Sequence, residues 1–571
     1  MISRVDIKWN DHFENDGVLY FLQRIVEMLD YSSIDIFRAP LLNTCRLIDE
    51  FIAISNGASK PYHLEEVFHE FMWSFENDII LDYKLGGSKK EQIIKKLNDP
   101  SRNRKTFMLF LQQSVSRQYL SWVIDYIYKA VPENKHKKRI EKAIRCLIPE
   151  LLREGYSRDE IYRTAKSLLF ADDPANALSI FLSRFDCKKH SYSVYLGVSE
   201  KLIRFKDILS KKLGICFVDD GCFKEYESIK GYQTVKLSDI WALDASKAAT
   251  IAIDRINLFS SFYQYFGNYS GKLVQREALV IPSEGTERTQ ITNRDTFTIF
   301  GNDNSPLMGE LSEMIITRLI NNANCSIHHI REITDLHNQA ISNNGLKNGF
   351  LNLWSILEML CVSNPDDSKI DSIIAKTVPV LKNDFWSSYL HDIADNMKRV
   401  LNQDYYQSMI EKIIDGNNED EKIACMIFLK QYSGLLDSVI DNLQSYPVLR
   451  SRILDLHDNH KTRKDIASDA NQYARRITWH LYRLYRARNQ ITHSGKKPAD
   501  LKDLGEHLHT YVCCLANEVI ISLALKPLCH IPNVFIDLEL EYETKDQYFL
   551  QNAPIDNESI SKLFPSYYSF E

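Results

Sequence analysis

The chain has 571 residues, a formal net charge of −6 and a hydrophobic content of 44%, which predict a globular protein of about two to four domains. The small net charge excludes a protein that holds nucleic acid by bulk charge alone, and it leaves local basic patches open. None of the eleven cysteines stands in a CxxC pair, which indicates reduced thiols in a cytoplasmic protein without a zinc knuckle. We expect no metal and no cofactor.

The amino-terminal region predicts helices and no membrane segment. The first residues, MISRVDIKWNDHFEND, are too polar for a signal peptide. The stretch Phe107 to Val131 is rich in apolar and aromatic residues and predicts a helix that Pro132 ends. Ser157 followed by Glu160 is typical of a capping box. Residues 1–190 therefore predict a helical domain.

Near residue 190 the sequence changes from helical patterns to patterns typical of strands. Short β-branched and aromatic runs, SYSVYLGV, GICFVDD, LVQREALVIP and RDTFTIFG, predict strands around one long helix from Ala242 to about Phe266. Residues 191–305 therefore predict a small α/β module.

Residues 306–571 return to helical patterns, with an insertion of several short helices expected at about 365–465. In LKNGFLNLWSILEMLC, leucines and a phenylalanine recur on one helical face, and Glu358 lies beside that face. Thr510 to Leu525 is apolar, but Glu518 interrupts it, so it fits a buried helix better than a membrane span. NVFIDLELEY alternates apolar and polar residues and predicts a strand. The fold class is therefore mainly α, with several domains, a small α/β middle region and a carboxy-terminal helical bundle.

The most informative stretch is YARRITWHLYRLYRARNQITH, from Tyr473 to His493. An apolar stripe at helical spacing, continued by four residues, lands on Arg488, a cation that needs a partner or a function there. Asn489 follows, and His493 is expected at or just beyond the helix end, before Gly495 and Pro498.

RNQITH resembles the signature of the HEPN superfamily, in which four to six residues separate an Arg, often followed by Asn, from a His; its context is similar to the Apea-like branch. LWSILEML resembles a HEPN helix that packs near the signature, with Glu358 as a supporting residue. The resemblance implies a metal-independent endoribonuclease with Arg488, Asn489 and His493 as catalytic residues, acting on RNA as a homodimer. It further implies a toxin or abortive-infection role in antiviral defence, with a phage-derived trigger or a cognate antitoxin. The remaining amino-terminal residues would then be a sensor or regulator.

The chemistry of these residue types agrees with that implication. A histidine titrates near neutral pH and suits removal of the proton from the 2′-hydroxyl of RNA. An arginine stays charged and binds phosphate oxygens with two parallel hydrogen bonds. A second stripe on the same helix mixes cations with rings and predicts contacts with single-stranded RNA, although a solvated basic face is equally typical of such runs. Its members are Arg475, Trp479, Tyr482, Arg483 and Arg486.

The sequence also allows other functions and sites. The HEPN module is alternatively a non-catalytic scaffold, or a sensor that binds nucleotide or RNA. A metal-dependent nuclease is weakly suggested by Asp537 followed by Glu543, Thr544 and Lys545. His63, Glu66 and Glu70 share one helical face, but one such set does not make a di-metal bundle. His480 stands on the same helix outside the motif and is expected to tolerate substitution.

Overall fold

The protein is mainly α-helical, with several domains and one small sheet in its middle region. The computed structural model describes residues 13, 15–36, 42–56, 61–99, 101, 103–134, 136–171, 174–218, 231–267, 271–292, 297, 310–321, 326–342, 345–362, 368–526 and 530–564.

Nine helices described in the amino-terminal region pack around one hydrophobic core. Aromatic side chains of this core such as Phe21, Phe51 and Phe71 are fully buried. The helices are α1 (Asp16–Leu29), α2 (Thr44–Ser55), α3 (Pro61–Asn77), α4 (Ile79–Leu97), α5 (Arg104–Leu111), α6 (Tyr119–Glu133), α7 (Lys137–Glu154), α8 (Arg158–Leu168) and α9 (Ala177–Ser183).

Two local predictions in this region are wrong. The single helix expected over 107–131 is two helices, α5 and α6, because a π-helical turn at Gln112–Ser116 separates them. The capping box at Ser157 does not form, because the Ser157 hydroxyl donates to Asp244 at 2.8 Å while Glu160 pairs with Arg163 at 2.8 Å. Asp244 precedes the long middle helix, so this contact ties α8 to the middle module.

The middle module is an antiparallel sheet covered by a helix. Its strands are ordered β2-β3-β1-β4-β5, and three alanines of α11, Ala248, Ala249 and Ala252, are buried in a core shared with the strands. Of the four predicted strands three are confirmed, while RDTFTIFG lies outside the described residues except for Phe297. The elements are β1 (His190–Ser199), α10 (Lys206–Leu213), β2 (Ile215–Phe217), β3 (Tyr232–Ala242), α11 (Ala245–Gly267), β4 (Val274–Pro282) and β5 (Thr289–Thr292).

The carboxy-terminal region is a helical bundle with a second helical cluster beside it. Its helices are α12 (Glu310–Asn321), α13 (Ser326–Ser342), α14 (Leu346–Cys361), α15 (Lys369–Val400), α16 (Gln403–Glu411), α17 (Glu419–Phe428), α18 (Ser433–Asn442), α19 (Pro447–Asn459), α20 (Arg463–Ser494), α21 (Leu501–Leu525), α22 (Ile531–Phe549) and α23 (Asn557–Ser561).

The expected insertion of short helices begins instead with α15, one 32-residue helix that runs through Pro379. Ile370 and Ile373 of α15 belong to the bundle core, whereas Leu390 and Met397 belong to the core of the second cluster. Since α20 also contributes to both cores, the two helical clusters share long helices.

The predicted carboxy-terminal strand is also wrong, because NVFIDLELEY lies within helix α22. Val534, Leu538 and Tyr542 are buried four residues apart, so the helical period decides the structure over the alternation. On this helix Asp537 pairs with Lys526 at 2.5 Å and Lys545 donates to Asn383 at 2.6 Å. Those contacts do not assemble the metal-dependent nuclease pattern that Asp537 and Lys545 suggested.

Within the described residues, α21 has the length and apolar composition of a membrane span, and half of its apolar window is buried inside the protein. The pair Glu419–Phe428 and Lys430–Asn442 passes the same test only together, bent by 90°. Because α21 packs against α12, α14 and α15, we interpret it as a core helix of the bundle.

Candidate functional site

Helix α20 carries the RNQITH motif up to its last turn. Thr462 and Asp465 form a capping box at its start, and Gly495 ends it in the left-handed conformation at φ 64°. The Gly495 N–H donates to the Ile491 carbonyl at 3.0 Å, and Lys347 of α14 donates to the Gly495 carbonyl at 2.7 Å. The predicted stop at Gly495 is confirmed, and His493 lies in the last helical turn.

Arg488 lies beside the apolar stripe rather than at its end. Ala487 and Ile491 are buried and continue the stripe past the position where the sequence suggested that it stops. The Arg488 side chain keeps 23% of its surface exposed. Its Nη2 donates to Oε1 of Glu358 at 3.3 Å, and its Nη1 donates to Oδ1 of Asn489 at 3.2 Å. The guanidinium is therefore held at the bundle surface and keeps access to solvent.

Glu358 is itself fixed by two further donors. Nε1 of Trp354 donates to its Oε1 at 2.8 Å, and Nζ of Lys369 donates to its Oε2 at 3.1 Å. One carboxylate thus faces two cations, Arg488 and Lys369, so the cluster keeps an excess positive charge. Such a cluster can hold an arginine in one orientation and still attract a phosphate.

His493 and Asn489 lie on one face of α20, because residues four apart are neighbours on a helix. Arg488, five residues before His493, lies about 140° away around the helix at 3.6 residues per turn. His493 is exposed and Asn489 is half-buried. A single chain therefore presents the motif's histidine and its arginine in different directions, with Asn489 next to both.

The second stripe of α20 does not form an open face. Trp479, Tyr482 and Arg483 are buried, and the Trp479 ring packs 6.1 Å from that of Trp73 on α3. Tyr482 donates to Asp371 at 3.3 Å. Of the residues assigned to RNA binding, Arg475 is the one that stays exposed. The assignment is corrected: most of this stripe is an interface inside the chain, because the amino-terminal domain packs on it.

Two carboxylates of the amino-terminal domain, which the sequence did not connect to this helix, hold that stripe. Arg483 donates to Glu50 on α2 at 3.0 Å and to Glu70 on α3 at 2.7 Å, and Arg486 also pairs with Glu50. Burial would raise the pKa of Glu50, but the two guanidinium groups outweigh it and lower that pKa to about 2. Burial raises the pKa of Glu70, and the charge of Glu50 adds to this effect, while Arg483 and Arg486 oppose it.

The amino-terminal domain also holds the chain just beyond the motif. Tyr31 and Arg158 donate to Asp503, at 2.8 and 3.1 Å. Arg46 pairs with Asp500 at 3.5 Å. Contacts on α20 and at the start of α21 therefore flank the exposed end that carries His493. We call these contacts, made by Glu50, Glu70, Tyr31, Arg46 and Arg158, the amino-terminal clamp.

The sequence suggested that His480 tolerates substitution, but the structure places this residue in the core. It is fully buried, and its Nδ1 lies 2.9 Å from the hydroxyl of Tyr511. Burial lowers its pKa well below the usual value. Substitution of His480 would disturb the core between α20 and α21, so it cannot serve as a neutral control.

A cavity of about 440 Å³ lies where the amino-terminal domain meets α19 and α20. Six basic and three acidic side chains line it: Arg24, Lys138, Lys142, Arg145, Arg452 and Arg476, with Asp78, Glu141 and Asp455. Carboxylates outside the lining also pair with its arginines, Glu27 with Arg24 and Arg452, and Asp35 with Arg24.

Comparisons of the chain with protein-family models, curated proteins and solved structures give no match. A family assignment therefore depends on the RNQITH motif and on the contacts around it.

Proposed function

We propose that the chain is a metal-independent RNA endoribonuclease of the HEPN type, acting in the cytoplasm as an effector of antiviral defence. The observation that carries the proposal is the end of α20, where Arg488 is oriented by Glu358 and Asn489 while His493 stays exposed. These are the two groups that cleavage of RNA by its own 2′-hydroxyl requires.

In the proposed reaction, His493 takes the proton of the 2′-hydroxyl, and the 2′-oxygen forms a bond to phosphorus. The bond from phosphorus to the 5′-oxygen of the next nucleotide breaks, and that oxygen takes a proton from solvent water, while His493 releases to solvent the proton that it accepted. Arg488 stabilises the charge that develops on the phosphate oxygens. The products are a 2′,3′-cyclic phosphate and a 5′-hydroxyl. No redox step is involved.

The site is proposed to form between two copies of the chain. On one α20 the arginine and the histidine point about 140° apart. When a phosphate binds Arg488 of one copy, His493 of another copy is therefore better placed to reach the neighbouring 2′-hydroxyl. A dimer through the carboxy-terminal helices would bring the two motifs together.

The amino-terminal clamp supports a regulatory role for residues 1–190. It buries the aromatic and basic stripe of α20 and holds the start of α21. A phage-derived trigger or the loss of an antitoxin would act by loosening these contacts, so that the helix ends can pair or admit RNA.

The test is cleavage of a defined RNA oligonucleotide, compared with the same oligonucleotide carrying 2′-deoxyribose at the cleaved position. The proposal expects cleavage of the first, with a 2′,3′-cyclic phosphate end, and no cleavage of the second. Equal cleavage of both would contradict it, since the nucleophile would not be the 2′-hydroxyl.

A mixing experiment tests the shared site. Neither His493→Ala nor Arg488→Lys protein should cleave RNA alone, but a mixture that exchanges subunits should recover cleavage, because one pairing of the motifs keeps both groups. Failure to recover activity in a verified mixed dimer would place both groups in one chain.

A non-catalytic nucleotide sensor is the second candidate, and the cavity between the domains, which six basic side chains line, favours it. Titration of the full chain with ATP, used as an anionic nucleotide probe, tests this function. Binding that Lys142→Ala weakens, in a protein that never cleaves RNA, would support it over the ribonuclease.

A further inference from the structure

Helices α13 and α21 bring two histidines and a cysteine to one point of the carboxy-terminal bundle. His337 comes from α13, and His509 and Cys513 come from consecutive turns of α21. Nε2 of His337 lies 3.0 Å from Nε2 of His509. Sγ of Cys513 lies 3.5 Å from Nε2 of His509 and 3.7 Å from Nε2 of His337. All three side chains are half-buried.

These distances are close to those between the ligands of one tetrahedral zinc ion. With Zn–N of about 2.0–2.1 Å and Zn–S of about 2.3 Å, tetrahedral angles separate two nitrogen ligands by about 3.3 Å and a nitrogen from a sulfur by about 3.6 Å. The two sulfur–nitrogen distances agree with this geometry, and the nitrogen–nitrogen distance is slightly short. The two imidazole rings lie 5.1 Å apart at an angle of 28°.

The chemistry of the group fits zinc better than a hard cation. Imidazole nitrogen and thiolate sulfur are zinc ligands, whereas Mg²⁺ and Ca²⁺ take oxygen ligands. Zinc binding removes the proton of a coordinating thiol, so Cys513 would bind as the thiolate.

We propose that His337, His509 and Cys513 bind a Zn²⁺ ion that clips α13 to α21. The ligands come from positions 172 residues apart, so the ion would join the first helices of the bundle to the helix that follows the RNQITH motif. Three protein ligands leave a fourth position for water. The proposed ion joins the two helices and takes no part in the Arg488 and His493 chemistry. In the sequence, the only local sign of this site is the four-residue spacing of His509 and Cys513, and the ligands do not form a CxxC pattern.

The test uses the full chain and does not measure RNA cleavage, so its outcome is independent of the proposed function. Purified protein should contain about one zinc per chain. After removal of the metal, Co²⁺ should restore binding with a thiolate-to-cobalt absorption band, which reports a sulfur ligand directly. Protein that binds neither Zn²⁺ nor Co²⁺, or that carries copper in place of zinc, would overturn the proposal.

The variants assign the ligands. Cys513→Ser should lose the cobalt thiolate band, and His509→Ala should weaken zinc binding at least tenfold, since even changes to groups that only support a metal ligand cost about 10- to 100-fold. Cys514→Ser is the matched control, because Cys514 lines a different small pocket beside Asp384, and it should keep both. If a variant does not fold, the thiolate band of the wild-type protein decides alone. Loss of that band in Cys514→Ser with its retention in Cys513→Ser would overturn the assignment.

Discussion

Arg488 of the RNQITH motif donates to the carboxylate of Glu358 at 3.3 Å, across the interface between α20 and α14. The same carboxylate accepts from Trp354 and Lys369. In the proposed function Glu358 is therefore a positioning residue, which fixes the direction of the guanidinium and takes no part in the proton transfer.

Glu358→Gln is expected to keep an acceptor for Trp354 but to lose the ion pair with Arg488. We expect kcat/KM for RNA cleavage to fall by about 10- to 100-fold, because small misplacements of a catalytic group cost that much. Glu539→Gln, an exposed glutamate of α22, is the matched control. A fall in both variants, or unchanged cleavage with Glu358→Gln, would show that Glu358 does not position the arginine. A normal pH profile with reduced kcat/KM would separate positioning from a change in the base.

Glu50→Gln tests the amino-terminal clamp. Arg486 would lose its carboxylate, and Arg483 would keep only Glu70. Removal of one partner from a buried ion pair costs about 3–5 kcal/mol, so we expect the domain interface to open more easily. If the clamp restrains the nuclease, RNA cleavage should increase in the absence of a trigger.

The matched control for the clamp is Glu65→Gln on α3, since Glu65 is exposed and pairs with Arg104 of α5, inside the amino-terminal domain, at 2.6 Å. Hydrogen exchange along α20 would report the opening independently of activity. Increased exchange without any rise in cleavage would show that Glu50 holds the domain interface together but that this interface does not regulate cleavage.

Glu518 makes stability depend on pH. Its burial in α21, beside Glu541 and Asp384, raises its pKa from 4.5 to about 7. Between these pH values the folded chain keeps a proton that the unfolded chain has lost, so the stability contributed by this group falls as pH rises from about 4.5 to 7 and is constant above. Glu518→Gln should therefore increase the free energy of unfolding at pH 8 by about 1–3 kcal/mol and change it little at pH 4. Denaturant unfolding at the two pH values measures this, and an equal effect at both would contradict it.

Local patterns predicted much of the fold, and they failed where tertiary contacts compete. The stop of α20 at Gly495 and the three confirmed strands follow from residue chemistry near each element. NVFIDLELEY fits both a strand and a helix, and burial of Val534, Leu538 and Tyr542 against the bundle selected the helix. Similarly, Ser157 had a local partner in Glu160, but Asp244 from another domain took the hydroxyl.

The candidate site was predicted in part for the same reason. RNQITH and Glu358 are visible in the sequence, and the structure brings Arg488 to Glu358. The sequence of the stripe that contains Trp479 and Arg483 suggests an RNA-binding face, because it does not show the amino-terminal residues that contact this stripe. Glu50 and Glu70 lie more than 400 residues away along the chain, and no local pattern links them to α20.

The most direct test of the central claim is RNA cleavage by His493→Ala. The residue is exposed in the last turn of α20, so the variant should fold normally and lose about 10² to 10⁴ in rate with its proton acceptor. His328→Ala, an exposed histidine on α13 that pairs with Glu332, is the matched control and should cleave at the wild-type rate. We predict RNA cleavage by the His328→Ala protein and nearly none by an equally folded His493→Ala protein; equal rates for the two would show that His493 is not the base.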